Sequence, residues 1–387
     1  NIKVGDNNGE EARFVMHDGI IANGKAKHGG NIHVDGATAS FIQKNGLIYL
    51  GVAGYITKDG LGGNLYMDLG GTAQLDGIVT YGKSYAGGGN LYLKSATVSI
   101  GGTVEKANGD CGSASGKSGG NIWMGTGTQL TITGTVRDNL TQVSYGGNIF
   151  CSAAHIIVDG GTISGGDSSS RGGNIYMTAA NGTLQIKNGG KILDGVSKNG
   201  GNFATNSGTT AITLEDGLIS GGTAESGANI RMLASATLKA NGGKVDGDLY
   251  LSTGSVELSG TAEVPGMTFT TGKLTVNEDW TGSASAKWTA AYAAGDTVAD
   301  TAGAATGIYT GKLYLLGGNS ERIAKSICKI LDLSDNEIML GYRHRNTGYI
   351  DLLEAIAAYK RCGYVTRDSH HRNAVHISGS NTRNEIR

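Results

Sequence analysis

A short phrase recurs nine times along this chain: two small residues, an Asn or Asp pivot, and a triplet that is mostly apolar or aromatic. Successive pivots lie 33, 26, 31, 27, 26, 28, 27 and 19 residues apart. A period in this range is typical of one supersecondary unit stacked on copies of itself. The repeat therefore constrains the fold more than any other feature. The pivots are Asn31, Asn64, Asn90, Asn121, Asn148, Asn174, Asn202, Asn229 and Asp248.

The repeat from Gly172 to Gly200 shows the strands that one unit contains. Residues 175–177 and 184–186 alternate apolar and polar positions, and residues 189–195 frame a third strand. Short alternating runs between turn residues are typical of β-strands. Other repeats show the same three strands with no helical period between them. We therefore predict an all-β parallel β-helix with three strands in each of about ten coils, where each strand pairs with its counterpart about 4.8 Å away in the next coil.

Composition and repeat length exclude several other architectures. The 67 glycines and single proline follow no three-residue period, which excludes collagen. Apolar residues make up 39% of the chain and fall in regular triplets, which a flexible glycine-rich linker would not show. A β-propeller would need four strands and about 40 residues in each blade, and a leucine-rich repeat would show its leucine consensus.

The pivot position has a structural explanation. Asn tolerates the left-handed backbone conformation that a tight corner needs. Stacked Asn side chains can also hydrogen-bond from coil to coil, as amide ladders do in stacked sheets. We expect a structural ladder formed by Asn31, Asn64, Asn90, Asn121, Asn148, Asn174, Asn202 and Asn229.

On these motifs the chain resembles the right-handed parallel β-helix superfamily, which includes pectate lyases and bacterial surface adhesins. Phrases such as Gly62-Gly-Asn64-Leu and Gly172-Gly-Asn174-Ile are most similar to the repeats of polymorphic outer-membrane and other cell-surface proteins. The resemblance covers residues 10–275 and implies a right-handed solenoid. It also implies a secreted or surface-displayed bacterial protein with a structural or adhesive role.

The residue two places after each pivot forms the column of most functional interest. Strand alternation turns this position outward, because the residues on either side of it are apolar and point into the core. Such a stripe could stack on a polysaccharide, be covered by another protein chain, or stabilise the sheet by contacts between rings. The candidate ligand-binding residues are His33, Tyr66, Tyr92, Trp123, Phe150, Tyr176 and Tyr250.

Catalytic signatures are weak in this sequence. Lyases of this fold need clustered acids and a basic residue, and glycosidases need two carboxylates at a defined separation. Asp76, Asp159, Asp194 and Asp216 each precede a glycine, which is typical of turns. Cys151 takes an apolar position of the repeat, so we expect a buried free thiol. We predict no catalytic residue, metal or cofactor, and keep a polysaccharide lyase or glycoside hydrolase as the alternative.

Charge and hydropathy restrict the classes of partner and the locations that we expect for the chain. The chain carries 32 basic and 33 acidic residues, so nothing favours nucleic-acid binding. No stretch of about 20 apolar residues predicts a membrane span. The chain opens on Asn1 within a coil, and we expect a processed or excised piece of a longer precursor, which is compatible with export. The expected partner is a polysaccharide or cell-surface glycan, another protein chain, or further copies in an oligomer or filament, and the expected location is extracellular or at the cell surface.

The sequence divides into three parts. Residues 1–279 carry the repeats. Residues 280–319 form an Ala/Gly/Thr-rich segment with aromatic residues, which we interpret as a cap on the last coil. Residues 320–387 contain 11 basic and 8 acidic residues, and runs of helical spacing lie at 320–331 and 349–361. These features predict a small, charged helical tail.

Overall fold

The structure, a computed structural model, describes residues 1–277 except 7, 109–117, 207–208, 234, 265 and 270–272. Beyond these it describes the backbones of strands Lys287–Ala290, Ala305–Tyr309, Lys312–Leu316, Tyr364–Arg367, Val375–Ser378 and Arg383–Ile386. The described residues contain no helix. The two runs for which the sequence predicts tail helices, and most of the predicted cap, lie outside the described residues.

The repeats form a parallel β-solenoid built from three sheets. Each coil contributes one strand to each sheet, and each strand pairs in parallel with its counterparts in neighbouring coils. Nine coils contain all three strands, and the later strands extend only the first two sheets. These observations confirm the predicted all-β solenoid with three strands per coil.

The bounds of the strands show how regularly the coils repeat. Sheet 1, which follows the pivots, contains Ile2–Val4, Ile32–Val34, Leu65–Met67, Leu91–Leu93, Ile122–Met124, Ile149–Cys151, Ile175–Met177, Phe203–Thr205, Ile230–Met232, Asp248–Leu251, Gly266–Phe269 and Lys287–Ala290. Sheet 2 contains Ala12–Met16, Ala39–Gln43, Thr72–Leu75, Thr97–Ile100, Gln129–Ile132, His155–Asp159, Thr183–Lys187, Ala211–Leu214, Thr237–Ala240, Ser255–Leu258 and Lys273–Val276. Sheet 3 contains Ile20–Ala22, Leu47–Tyr49, Ile78–Thr80, Thr103–Glu105, Thr135–Arg137, Thr162–Ser164, Lys191–Leu193, Leu218–Ser220 and Lys244–Asp246.

Shorter pairings lie outside the three sheets. In the loops that follow sheet 3, Lys25–Ala26 pairs in parallel with Val52–Ala53, and Val143–Tyr145 pairs with Ser168–Arg171. The parallel stacking of the coils therefore extends into some of their loops. Towards the C-terminus, the described strands form an antiparallel pair and a three-stranded antiparallel sheet.

The core consists of apolar columns that run along the solenoid. In sheet 1, Ile122, Ile149 and Ile175 stand in register, and none has exposed surface. Full burial of one such side chain stabilises the fold by about 1.5–3 kcal/mol. Cys151 lies in this core as a free thiol, as predicted, and burial raises the pKa of that thiol to about 12.

The pivot asparagines form the predicted ladder inside the solenoid. Nδ2 of each pivot from Asn31 to Asn202 donates to Oδ1 of the next pivot over 2.7–3.0 Å. The same Nδ2 donates to the last carbonyl of sheet 3 in its own coil, as Asn174 does to Leu193 at 2.7 Å. Most Oδ1 atoms also accept a backbone N–H, as Asn174 does from Gly166 at 2.9 Å. These pivots are at most 1% exposed; each Nδ2 uses both of its donors, and most Oδ1 atoms accept two hydrogen bonds.

The glycines around each pivot follow from the close approach of neighbouring backbones. Gly172, the first of its pair, has a φ of +63°, which L side chains rarely adopt. A Cβ on Gly173 would lie 2.2 Å from the carbonyl oxygen of Gly201 in the next coil. A Cβ on Gly195, after sheet 3, would lie 2.8 Å from Nδ2 of Asn174. Most coils therefore have glycine on both sides of the ladder, although Ala107 and Asn139 take the position of Gly195 in two coils.

Asn1 takes the pivot position in the first coil, although it is not among the nine pivots named above. Ile2–Val4 pairs in register with Ile32–Val34, which places Asn1 beside Asn31. Its Nδ2 donates to the carbonyl of Lys25 at 2.8 Å. Asn1 is exposed, unlike the later pivots.

Replacing Asn174 with Ala should lower the free energy of unfolding by about 2–4 kcal/mol. The change removes four hydrogen bonds and leaves buried partner groups without them. Urea denaturation measures this loss. The exposed Asn241, replaced with Ala, is the matched control and should change the free energy of unfolding by less than about 0.5 kcal/mol. Equal losses in the two variants would contradict a structural ladder.

Candidate functional site

The candidate site is the aromatic column on the outer face of sheet 1. Its members are the middle residues of successive strands and stand in direct register. The residues on either side of each member belong to the buried core, so the column points away from it. The continuous part consists of His33, Tyr66, Tyr92, Trp123, Phe150 and Tyr176.

The rings of the column stack on one another along the solenoid. Tyr92 and Trp123 are nearly parallel, with centroids 4.4 Å apart. The centroids of Tyr66 and Tyr92 lie 5.2 Å apart, and those of Trp123 and Phe150 lie 5.8 Å apart. Phe150 and Tyr176 are tilted at 5.9 Å. These separations are typical of favourable ring pairs, each of which contributes about 0.5–1.5 kcal/mol beyond burial.

Stacking and the neighbouring loops bury the tyrosines of the column and leave His33, Trp123 and Phe150 partly exposed. Tyr66, Tyr92 and Tyr176 are at most 8% exposed. Two rings from the loops that precede sheet 1 add to the stack, with His28 on Tyr66 at 4.8 Å and Tyr145 on Tyr176 at 5.1 Å. A ligand would therefore meet ring edges and loops, because neighbouring rings occupy the faces. Ligand binding by these residues stays a prediction.

Three polar side chains surround the first rings of the column. His33 contacts the edge of Tyr66 at 5.0 Å, and the Tyr66 hydroxyl donates to Asp68 at 2.7 Å. His28 Nδ1 accepts the backbone N–H of Leu61 at 3.3 Å. His33 Nε2 is buried without a hydrogen-bond partner. Burial lowers the pKa of both histidines and raises that of Tyr66, so burial favours the neutral form of all three groups.

The column is interrupted before Tyr250. Ala204 and Arg231 take the two positions between Tyr176 and Tyr250. The guanidinium of Arg231 lies over the Tyr250 ring, 5.6 Å from its centroid. The predicted seven-residue stripe is therefore one stack of six rings and a separate Arg–Tyr pair.

The aspartates that precede glycines lie at corners of the coils. Oδ1 of Asp216 accepts the backbone N–H of Gly189 at 2.9 Å, and Asp194 has a φ of +54°. Asp159 contacts Lys187 and accepts a hydrogen bond from Asn188. Within the described part of the chain, no group of three or more His, Cys, Asp or Glu side chains could hold a metal ion. No helix in that part is long and apolar enough to cross a membrane.

A second cluster of candidate functional side chains could not be predicted from the sequence. It lies in the loops that follow sheet 3 in the first four coils, where lysine ammonium groups lie over exposed or partly exposed tyrosine rings. These loops have no repeat pattern, and only the stacking of the coils brings their side chains together. We call it the Tyr–Lys surface; its members are Lys25, Tyr55, Lys58, Tyr81, Lys83, Tyr85 and Lys106.

Comparison of the chain with models of protein families, with curated proteins and with solved structures finds no match.

Replacing Trp123 with Ala should lower the free energy of unfolding by about 2–3 kcal/mol, because Tyr92 and Phe150 both lose a stacked partner. Replacing Trp123 with Phe should restore most of that stability, since a ring remains in the stack. Urea denaturation of the two variants measures the difference. A stability unchanged by the Ala substitution would show that the ring stands free for another role.

His33 should make the protein less stable as the pH falls below about 6.5, the pKa of an unperturbed histidine. Its folded-state pKa is lowered by burial, so between the two pKa values the unfolded chain binds more protons. Replacing His33 with Phe keeps a ring against Tyr66 and should remove part of this slope. The free energy of unfolding at pH 8, 6.5 and 5 tests the prediction. The exposed His17, replaced with Gln, is the control, and an equally reduced slope there would contradict the assignment to His33.

Proposed function

We propose that this chain is a structural and adhesive rod, secreted or displayed on a cell surface, that acts by contact along its sides. The observation that supports the proposal is that the repeated residues mainly contact one another. The pivots bind one another inside the solenoid, and most rings of the column bind one another outside it. Both sets of contacts extend and stiffen the stack of coils.

This geometry favours the interpretation in which contacts between the rings of the aromatic column stabilise the sheet. Ring faces that a glycan would use are already covered by neighbouring rings. The residues that differ between coils then make the contacts with a glycan, with another protein or with further copies of the chain. Those residues lie mainly in the loops that follow sheet 3, where several large apolar side chains are exposed.

The resemblance of the repeats to those of bacterial surface adhesins supports the same role and location. A rod that displays varied loops on a regular solenoid suits a protein that holds surfaces together. The alternative, a polysaccharide lyase or glycoside hydrolase on the same fold, predicts a different outcome in a direct assay.

The proposal predicts that the full chain releases no reducing or unsaturated ends from a panel of neutral and acidic polysaccharides. It also predicts that intact source cells, or their culture medium, expose the chain to added protease or to a membrane-impermeant label. Release of ends that is lost when Asp68 is replaced with Asn would contradict the non-catalytic role. Protection of the chain inside intact cells would contradict the location.

A further inference from the structure

The Tyr–Lys surface is continuous across the first four coils. Val52 pairs with Lys25 on one side and with Lys83 on the other, and Lys83 pairs in turn with Asn108. Parallel pairing of the loops therefore places successive side chains in a strip beside sheet 3. The same loops lead into sheet 1, and their His28 stacks on Tyr66 of the aromatic column.

Lysines and tyrosines on this strip hold one another in place. Lys58 Nζ lies 4.2 Å from the centroid of the Tyr85 ring and donates to the Tyr85 hydroxyl at 3.0 Å. Lys83 Nζ lies 5.2 Å from the same ring. Lys25 lies over Tyr55 at 4.6 Å, and Lys106 over Tyr81 at 6.0 Å. Four of the five cation–π pairs in the described residues therefore occur on this strip.

Large apolar groups are exposed beside these charges. Ile56 is 85% exposed and Tyr55 is 52% exposed. Leu50 and Tyr81 take the same corner in successive coils, and both combine high exposure with a left-handed φ of 50–55°. Lys106, Asp138 and Asp194 also have a left-handed φ at this corner, and some later coils have glycine there, for example Gly165. Leu50 and Tyr81 are the large apolar side chains at this corner, and their exposure favours a contact made by them.

The strip is basic as well as apolar. Its four lysines outnumber the two nearby carboxylates, Asp59 and Glu105, and Glu105 is shared between Arg137 at 2.7 Å and Lys106 at 3.6 Å. The hydrogen bond from Lys58, together with the charge of Lys83, lowers the pKa of the Tyr85 hydroxyl, as a positive local potential would. Such a surface favours a partner that carries negative charge.

We propose that the Tyr–Lys surface, with Leu50 and Ile56, binds an acidic polypeptide segment of a partner protein that has aromatic or aliphatic residues among its carboxylates. The proposal rests on the adhesive function and names the chemistry of its partner. Carboxylates pair with the ammonium groups, and apolar side chains pack on Ile56 and Leu50. A polysaccharide fits less well, because ammonium groups already lie over the tyrosine rings and aliphatic side chains offer sugars little.

Binding of the full chain to an immobilised copolymer of Glu and Tyr tests the proposal, with polyglutamate and polygalacturonate as comparison polymers. We expect the copolymer to bind most tightly and the affinity to fall with salt. The surface variant K25Q/K58Q/K83Q should bind about tenfold or more weakly, as loss of a charged interface would require. The control variant K44Q/K94Q/K191Q, which removes three exposed lysines from other faces, should bind within about twofold of the unchanged chain.

Replacing Ile56 with Ser provides a second variant, in a side chain so exposed that folding does not depend on it. It should weaken copolymer binding severalfold and leave polyglutamate binding unchanged. A thermal unfolding midpoint equal to that of the unchanged chain confirms that each variant is folded.

Three results would overturn the proposal: no binding of the copolymer, binding that the surface variant does not weaken, or equally tight binding of polygalacturonate. A chain that binds none of these polymers but is surface-exposed and non-catalytic would keep the function of an adhesive rod and lose only this surface assignment.

Discussion

The hydrogen bond between the side-chain amides of successive pivots is the interaction on which the rest of the solenoid depends. Each amide joins its own coil to the next and also holds the end of sheet 3 against the start of sheet 1. Because a buried amide is costly without partners, the ladder permits only the register in which every pivot faces another. That register sets the alignment of the apolar columns and of the aromatic column.

The ladder also explains how one short phrase directs structure and leaves function to other residues. Glycine at most of the neighbouring positions allows the backbones to approach, so these positions offer few side chains for recognition. Sheets 1 and 2 are held to short, regular strands whose inner residues fill the core. The loops after sheet 3 vary in length and composition, and there the coils place exposed tyrosine, lysine and aliphatic side chains side by side.

Much of this architecture could be predicted from the sequence because the repeat reports the periodicity directly. The strand predicted at 175–177 is confirmed as Ile175–Met177, and the predicted ladder is confirmed at each of its asparagines. The third strand of that unit, framed by residues 189–195, is Lys191–Leu193, because the glycines before it form the corner. The sequence pattern places the column on the outer face, but it carries no information on how loops cover it. The Tyr–Lys surface was hidden for the same reason, since its residues come from loops of different length.

The most direct test of the central claim is a double-mutant cycle in the ladder, with Ala at Asn148 and Asn174. These side chains share a hydrogen bond of 2.7 Å, so their effects on the free energy of unfolding should be coupled by about 1–2 kcal/mol. The same cycle for Asn64 and Asn174, which are separated by several coils, should be additive within about 0.5 kcal/mol. Additive effects in the adjacent pair would contradict an account in which the ladder sets the register of the coils.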